Sequence, residues 1–154
     1  MKSTPYRGSK DETRALNAYV KLTRASETIS VRIHRHLGDT GLTVSQFGVL
    51  EAIYHIGPLS QAELARKILR STGNITMVID NLEKRGLVRR ERRQGDRRYN
   101  AVRLTPEGKE LIRTIFPLHA EKILKAMNAL TRAEQETLGH LCRKLGRAEV
   151  QHTL

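Results

Sequence analysis

The sequence predicts a mainly helical α+β protein, with long helices from both ends of the chain and short helices plus a β-hairpin in the middle. Apolar residues recur at helical spacing over most of the chain, and Ser or Thr followed three residues later by Glu or Gln marks several helix starts. After Gly86 the spacing changes to that of two extended segments. The chain has 154 residues and a single cysteine, Cys142, so we expect one ordinary domain without disulfides in a reducing compartment.

The first helix is predicted over 11–37, where no Gly or Pro interrupts the helical spacing. Its apolar positions are Leu16, Val20, Ile29, Ile33 and Leu37. Gly38 and Gly41 are predicted to end it. Residues 1–10 are basic and are not followed by an apolar stretch, so we expect a flexible tail and no signal peptide.

Capping boxes at 43–46 and 60–63 predict the starts of the next two helices, which Gly57 and Pro58 separate. A turn at 70–73 leads into a further helix over 71–85. The apolar positions of the three helices are Phe47, Leu50, Ile53 and Tyr54, then Leu64, Ala65 and Ile68, then Ile75, Val78, Ile79 and Leu82. Their spacing predicts that each helix buries one face.

The remainder of the chain is predicted as a hairpin followed by two helices. Strands are predicted over 87–93 and 99–104, joined through a basic segment at 94–98. Thr105 is expected to cap a helix that has Pro106 at its first position, and Pro117 is expected to kink that helix. A capping box at 131–134 opens the last helix, whose apolar stripe is Leu138, Leu141, Cys142 and Leu145. On such a stripe a thiol is usually a small buried hydrophobe.

Positive charge is concentrated in the predicted hairpin. The chain has 28 Lys and Arg against 16 Asp and Glu, a net charge of +12. Residues 84–103 hold nine basic and two acidic side chains, which is a surplus of seven. Such a cluster is typical of an element that binds phosphates and releases counterions. Two short helices joined by a turn and followed by a basic hairpin predict a winged helix-turn-helix, whose second helix enters the DNA major groove.

Three blocks carry a family resemblance: LEKRGLV at 82–88, DRR at 96–98 and LTPEG at 104–108. In this order and spacing they resemble the MarR family of transcriptional regulators. The resemblance implies a homodimer in which helices from both termini intertwine (11–41 and 105–154), with 42–104 as the DNA-binding region. It also implies a palindromic double-stranded DNA operator and release of the DNA by a small molecule. Segments 45–52 and 73–76 look closest to members that answer phenolic or quinone-type compounds.

Residue roles follow from the helix positions and the resemblance together. The predicted DNA-contacting residues are Ser71, Thr72, Gly73, Asn74, Thr76, Met77, Arg85, Arg93, Asp96, Arg97 and Arg98. We expect Asn74 to read a base edge, with adenine as the candidate, and Met77 to contact a thymine methyl group where many relatives carry a basic residue. The resemblance implies that Asp96 holds an Arg while Arg97 or Arg98 enters the minor groove, which suits a narrow A·T-rich groove.

The predicted effector pocket is Phe47, Leu50, Tyr54, His55 and Phe116, chosen from helix faces and resemblance together. His34, His55 and His119 lie on helices that in this family enclose the effector. His34 and His36 are two residues apart and are expected to point to different sides of a helix, so we predict no metal site and no cofactor.

Three alternatives stay open. One is an architectural nucleic-acid-binding winged-helix protein without a ligand, and the others are a redox-responsive regulator using Cys142 and a metal-responsive regulator of the same fold. Catalysis is not expected, since the sequence lacks the G-x-S-x-G, G-x-x-x-x-G-K, H-E-x-x-H and G-x-G-x-x-G motifs. With no apolar run long enough to span a bilayer, we expect a cytoplasmic, nucleoid-associated protein.

Overall fold

The computed structural model describes residues 6–68, 72–93 and 96–147, and for residues 72, 92, 93 and 96–100 it describes the backbone alone. The elements in chain order are α1 (Lys10–His34), a 3-10 helix (Arg35–Thr40), α2 (Val44–Ile56), β1 (Leu59–Ser60), α3 (Gln61–Lys67), α4 (Thr72–Lys84), β2 (Val88–Arg93), β3 (Asp96–Leu104), α5 (Pro106–Met127) and α6 (Arg132–Arg147). The architecture is the predicted mainly helical α+β class, with a winged helix-turn-helix over α3, α4 and the β2–β3 hairpin. No described helix is both long enough and apolar enough to cross a membrane.

The predicted capping boxes are confirmed. Thr43 and Gln46 bond reciprocally at the start of α2, and Ser60 and Glu63 do so at the start of α3. Thr131 and Glu134 make the same pair of bonds before α6. These bonds satisfy backbone N–H groups that have no partner in the first turn of a helix.

The long first helix is shorter than predicted. The α-helix ends at His34, and the chain tightens into the 3-10 helix before Gly41 closes it with φ of 64°. The Thr40 hydroxyl donates to the Leu37 carbonyl at 2.7 Å, and the Leu37 side chain is buried. The segment predicted as one α-helix to residue 37 therefore ends as a 3-10 helix. Leu37 is buried against the core there, and Gly41 closes the turn in the left-handed conformation.

The sheet has the order β1-β3-β2 with antiparallel pairing. β3 begins at Asp96, earlier than the predicted 99, because the register shifts between Arg92 and Arg93 and lets Arg93 pair with Asp96. Two residues of β1 pair with Val102 and Ala101 of β3. Nothing in the local pattern predicted β1, since a two-residue strand exists only through its partner.

The core lies between α2, α3, α4, the sheet and the first half of α5. Its fully buried large side chains are Phe47, Leu50, Leu64, Ile75, Ile79, Leu82, Ile112, Val49, Val88 and Val102. Pro117 lies within α5, which continues to Met127. The core face predicted for α4 is confirmed at all four of its apolar positions.

α1 and α6 bury no side chain within the chain. The apolar stripe of α6 is exposed, including Leu138, Leu141 and Leu145. Cys142 is exposed as well, so the expectation of a buried thiol is wrong for the single chain. The reason is that none of the described elements packs over α6.

Candidate nucleic-acid interface and cavity

α4 separates an inner face from an outer face. Ile75, Ile79 and Leu82 are fully buried, whereas Met77 is 60% exposed on the opposite side. Gly73 and Thr76 are also exposed, and Asn74 is half-buried in the first turn. The residues that we predicted to read bases therefore lie on the part of α4 that the core leaves accessible.

Thr76 is joined to the preceding helix. Gln61, the first residue of α3, donates from its amide Nε2 to the Thr76 hydroxyl at 3.0 Å. The bond is exposed to solvent. Sequence reasoning missed Gln61, because the bond joins residues fifteen positions apart.

Arg90 of the hairpin contacts α4 from the side. Its Nη2 atom lies 2.5 Å from the Asp80 carboxylate, its Nη1 atom pairs with Glu83, and its backbone N–H donates to Glu83 at 3.0 Å. Burial lowers the pKa of Arg90, but the hydrogen bonds to the two carboxylates outweigh it and leave the pKa raised. The signal available in the sequence was the pair of acids one helical turn apart, followed by a basic strand.

Further pairing reduces the free charge on the base of the hairpin. Glu91 lies 2.5 Å from Arg89 and 2.8 Å from Arg103. The hydrogen bond from Arg103 lowers the pKa of Glu91. Glu91 is already counted in the surplus of seven positive charges over residues 84–103, whereas Asp80 and Glu83 lie outside that segment and offset part of the surplus through Arg90. Phosphate contacts by the hairpin tip stay a prediction.

Arg85 makes a contact that the sequence did not predict. Its guanidinium donates to the Gly41 carbonyl at 2.9 Å and lies 3.4 Å from the Thr40 carbonyl. It thereby ties the end of α4 to the turn before α2. A direct DNA contact by Arg85 stays a prediction.

Several predicted DNA contacts fall outside the described side chains. Ser71 lies outside the described residues, and Thr72 is described by its backbone as the first residue of α4. Arg93, Asp96, Arg97 and Arg98 lie on β2 and β3, also by backbone alone. Their roles stay predictions.

A cavity of about 410 Å³ lies between α2, α3 and the end of α1. It is lined by His34, Val44, Ser45, Phe47, Gly48, Glu51, Ala52, His55, Ile56, Lys67 and Ile68. Of the five predicted pocket residues, only Phe47 and His55 are on its wall. Leu50 is fully buried in the core, and Tyr54 and Phe116 lie behind His55 with ring centroids 5.0 Å and 4.4 Å from it.

Gly48 shapes one wall of this cavity. A Cβ atom at this position would lie 3.3 Å from Cγ2 of Ile68, which is tighter than ordinary contact. The missing side chain lets α2 pass close to Ile68.

Glu51 is one of several lining residues that the sequence did not single out. Its side chain is half-buried. Burial raises the pKa of Glu51, and the imidazoles of His55 and His34 act in the opposite direction. The spacing of Glu51, His55 and Gly48 on one face of α2 was the signal that could have identified it.

Three histidines meet beside the cavity. The rings of His34 and His36 each have centroids 5.3 Å from that of His119, so the expectation that they point to different sides is wrong. The reason is that His36 lies in the 3-10 helix, beyond the end of α1. His119 is 3% exposed, and burial lowers its pKa to about 4. Among the described residues, no group of three or more His, Cys, Asp or Glu is arranged to hold a metal ion.

Comparison with known proteins decides the family. The MarR family model matches residues 42–99, the segment that holds α3, α4 and most of the hairpin. The HTH-type transcriptional regulator YkoM of Bacillus subtilis is 36% identical over 141 residues, which cover 92% of this chain and 91% of that protein. This chain belongs to the MarR family. The suspected resemblance is confirmed, and the family consists of transcriptional regulators.

Two further MarR-family comparisons support the assignment over most of the chain. The regulator MhqR of Bacillus subtilis is 32% identical over 133 residues, covering 86% of this chain and 92% of that protein. The structure of BpsR from Bordetella bronchiseptica, whose DNA binding is regulated by 6-hydroxynicotinic acid, has a TM-score of 0.79 and 26% identity. That match covers 95% of this chain and all of BpsR.

Proposed function

We propose that this MarR-family regulator is a homodimeric repressor that binds a palindromic DNA operator and is released by a small aromatic effector. The observation that carries the proposal is the outer face of α4, where Thr76 and Met77 are exposed beside a basic hairpin. Such a face fits the major groove, while the hairpin reaches the backbone and minor groove.

The dimer is supported by apolar surface that the single chain leaves uncovered. Exposed leucines lie on α1 (Leu16, Leu22), α5 (Leu118, Leu124) and α6 (Leu138, Leu141, Leu145). Exposed apolar side chains in such number on three helices are typical of an interface between proteins. Segments 11–41 and 105–154 are therefore assigned to dimerisation, and 42–104 to DNA binding.

Release follows from the position of the cavity. The cavity lies between α1, which is part of the proposed dimerisation region, and the helices α2 and α3, which pack against α4. The two copies of α4 must be about 34 Å apart to enter successive major grooves. A ligand that favours another spacing by a few kcal/mol lowers DNA affinity without touching DNA.

The first experiment is selection from a random duplex library, followed by fluorescence anisotropy of the selected and scrambled DNA at two salt concentrations. A palindromic sequence preferred by about 10³-fold or more, bound by a dimer, is the expected result. Equal, strongly salt-dependent binding to all sequences would contradict the proposal and favour the architectural alternative.

Arg98→Ala tests the hairpin in the same assay. We expect weaker operator binding and a salt slope reduced by about one counterion. Arg113→Ala is the matched control, because Arg113 lies on α5 and pairs with Glu110 at 2.6 Å. Equal effects of the two substitutions would remove the hairpin from the DNA interface.

A further inference from the structure

We propose that Glu51 selects the effector of this regulator by charge, so that the cavity admits an uncharged aromatic with hydroxyl groups and excludes an aromatic carboxylate. The inference rests on the proposed function, because it concerns the cavity between the dimer helix and the DNA-binding region. The inference goes beyond the proposed function by assigning the choice of effector to one side chain.

The first observation concerns the surroundings of Glu51, on which the imidazoles of His55 and His34 act electrostatically. Within the described part of the chain it forms neither a hydrogen bond nor an ion pair, although its side chain is half-buried. A partly desolvated carboxylate accepts hydrogen bonds and donates none. The group that best satisfies it is therefore a donor brought by a ligand.

The second observation is that His34 adds another acceptor to the same wall. Its Nδ1 atom lies 2.8 Å from the Ser30 carbonyl oxygen and 3.2 Å from the Ser30 hydroxyl, and in the tautomer that donates to the carbonyl Nδ1 carries the hydrogen. In the neutral ring the lone pair is then on Nε2. Glu51 and His34 thus favour O–H donors such as those of a phenol, a catechol or a hydroquinone.

The third observation concerns Lys67, the lysine among the described lining residues. Lys67, at the end of α3, is exposed to solvent, whereas Glu51 is half-buried. Water and salt screen an exposed charge more strongly than a half-buried one. A ligand carboxylate inside the cavity therefore meets the repulsion of Glu51 more fully than the attraction of Lys67.

The remaining wall fits a flat ring. Phe47 is aromatic and Ile56 is aliphatic, while Gly48 and Ala52 are small. Ile68 closes the cavity on the side of α3. An apolar wall with a few placed polar groups is the usual composition of a small-molecule site. BpsR, by contrast, responds to an aromatic acid.

The test measures binding of three matched pairs by isothermal titration calorimetry in the absence of DNA, under reducing conditions. The pairs are phenol and benzoate, catechol and salicylate, and hydroquinone and 4-hydroxybenzoate. Each pair keeps the ring and exchanges one hydroxyl for a carboxylate. We expect at least one uncharged member to bind, and to bind at least tenfold more tightly than its carboxylate.

Glu51→Gln removes the charge and keeps the shape. It is expected to tighten carboxylate binding and to reduce the ratio within the binding pair at least fivefold. Glu107→Gln is the matched control, since Glu107 is exposed in the first turn of α5 and absent from the cavity wall. Glu51→Asp keeps the charge and is expected to keep the preference.

Three results would overturn the proposal: equal or tighter binding of the carboxylates to the unaltered protein, no binding of any uncharged member, or an unchanged ratio in a folded Glu51→Gln variant. If Glu51→Gln does not fold, the ratio of the affinities for the uncharged ligand and its carboxylate, measured on the unaltered protein, still tests the proposal. Operator binding is measured separately, so loss of DNA selectivity contradicts the proposed function, whereas a failed ratio with intact operator binding contradicts only the role of Glu51.

Discussion

Arg90 on β2 of the hairpin has its Nη2 atom 2.5 Å from the carboxylate of Asp80 on α4. The same guanidinium pairs with Glu83 one turn further along. The side chain of Arg90 is 25% exposed, while Asp80 and Glu83 are 46% and 38% exposed. The hairpin and α4 are therefore held to each other by a partly desolvated network, in which one positive charge of the hairpin is paired within the protein.

Replacing Arg90 by Ala is expected to lower the free energy of unfolding by about 1–2 kcal/mol, allowing for solvent screening of the two exposed acids. Operator affinity should fall as well, because the hairpin loses its fixed position beside α4. Arg89→Ala is the control, since Arg89 is 59% exposed and pairs only with Glu91 among the described residues. Urea unfolding monitored by circular dichroism measures both, and equal losses would contradict a special role for Arg90.

Gln61 is expected to position Thr76 for DNA readout. The amide has a second N–H and a carbonyl oxygen in addition to the bond to Thr76, and the first helix of this motif crosses the DNA backbone. Gln61→Ala should weaken operator binding several-fold and leave the salt slope unchanged, because no charge is lost. In a Thr76→Val background, Gln61→Ala should have a smaller effect. Additive losses in this double-mutant cycle would show that the two side chains act independently.

His119 predicts a pH dependence of stability. Its folded-state pKa is about 4, against an ordinary value of 6.5, because burial disfavours the charged ring. Between these values the unfolded chain binds more protons, so stability falls as the pH drops from 6.5 to about 4, by up to about 3 kcal/mol. His119→Phe keeps an aromatic ring against Phe47 and should flatten this part of the curve. Parallel curves of unfolding free energy against pH for the two proteins would rule out this contribution.

Gly108 is expected to tolerate no side chain. A Cβ atom there would lie 1.9 Å from the carbonyl oxygen of Leu87, which also accepts from the Thr105 backbone at 3.2 Å. Gly108→Ala should cost about 3 kcal/mol, since backbone has to move. Gly139→Ala is the opposite control, because no described atom outside its own helix backbone and chain neighbours lies within 4 Å of a Cβ there and Ala favours a helix interior by about 0.5–1 kcal/mol. Thermal unfolding measures whether Gly108→Ala lowers the stability and Gly139→Ala raises it. An unchanged stability of Gly108→Ala would contradict the close approach of Gly108 to the Leu87 backbone.

The sequence by itself determined the features that depend on neighbours in the chain. Capping boxes such as Thr43 with Gln46 act across three residues, and the apolar spacing of α4 repeats every three or four, so both could be read before the structure was known. The blocks LEKRGLV at 82–88 and LTPEG at 104–108 are also short and continuous in the chain, and they indicated the family. Helix starts, the core face of α4 and the basic hairpin were correct on this basis.

Only the tertiary structure decided which distant groups meet. His34 and His119 are far apart in the chain, yet their rings touch because α5 packs against α1. Arg85 reaches Gly41, and Glu51 shares a cavity with Lys67, through helix packing that no local spacing specifies. Burial also depends on the whole fold, which is why Leu50 belongs to the core and Cys142 is exposed. Local hydrogen bonding fixes where elements begin, whereas the shape and charge of the cavity arise from contacts between elements.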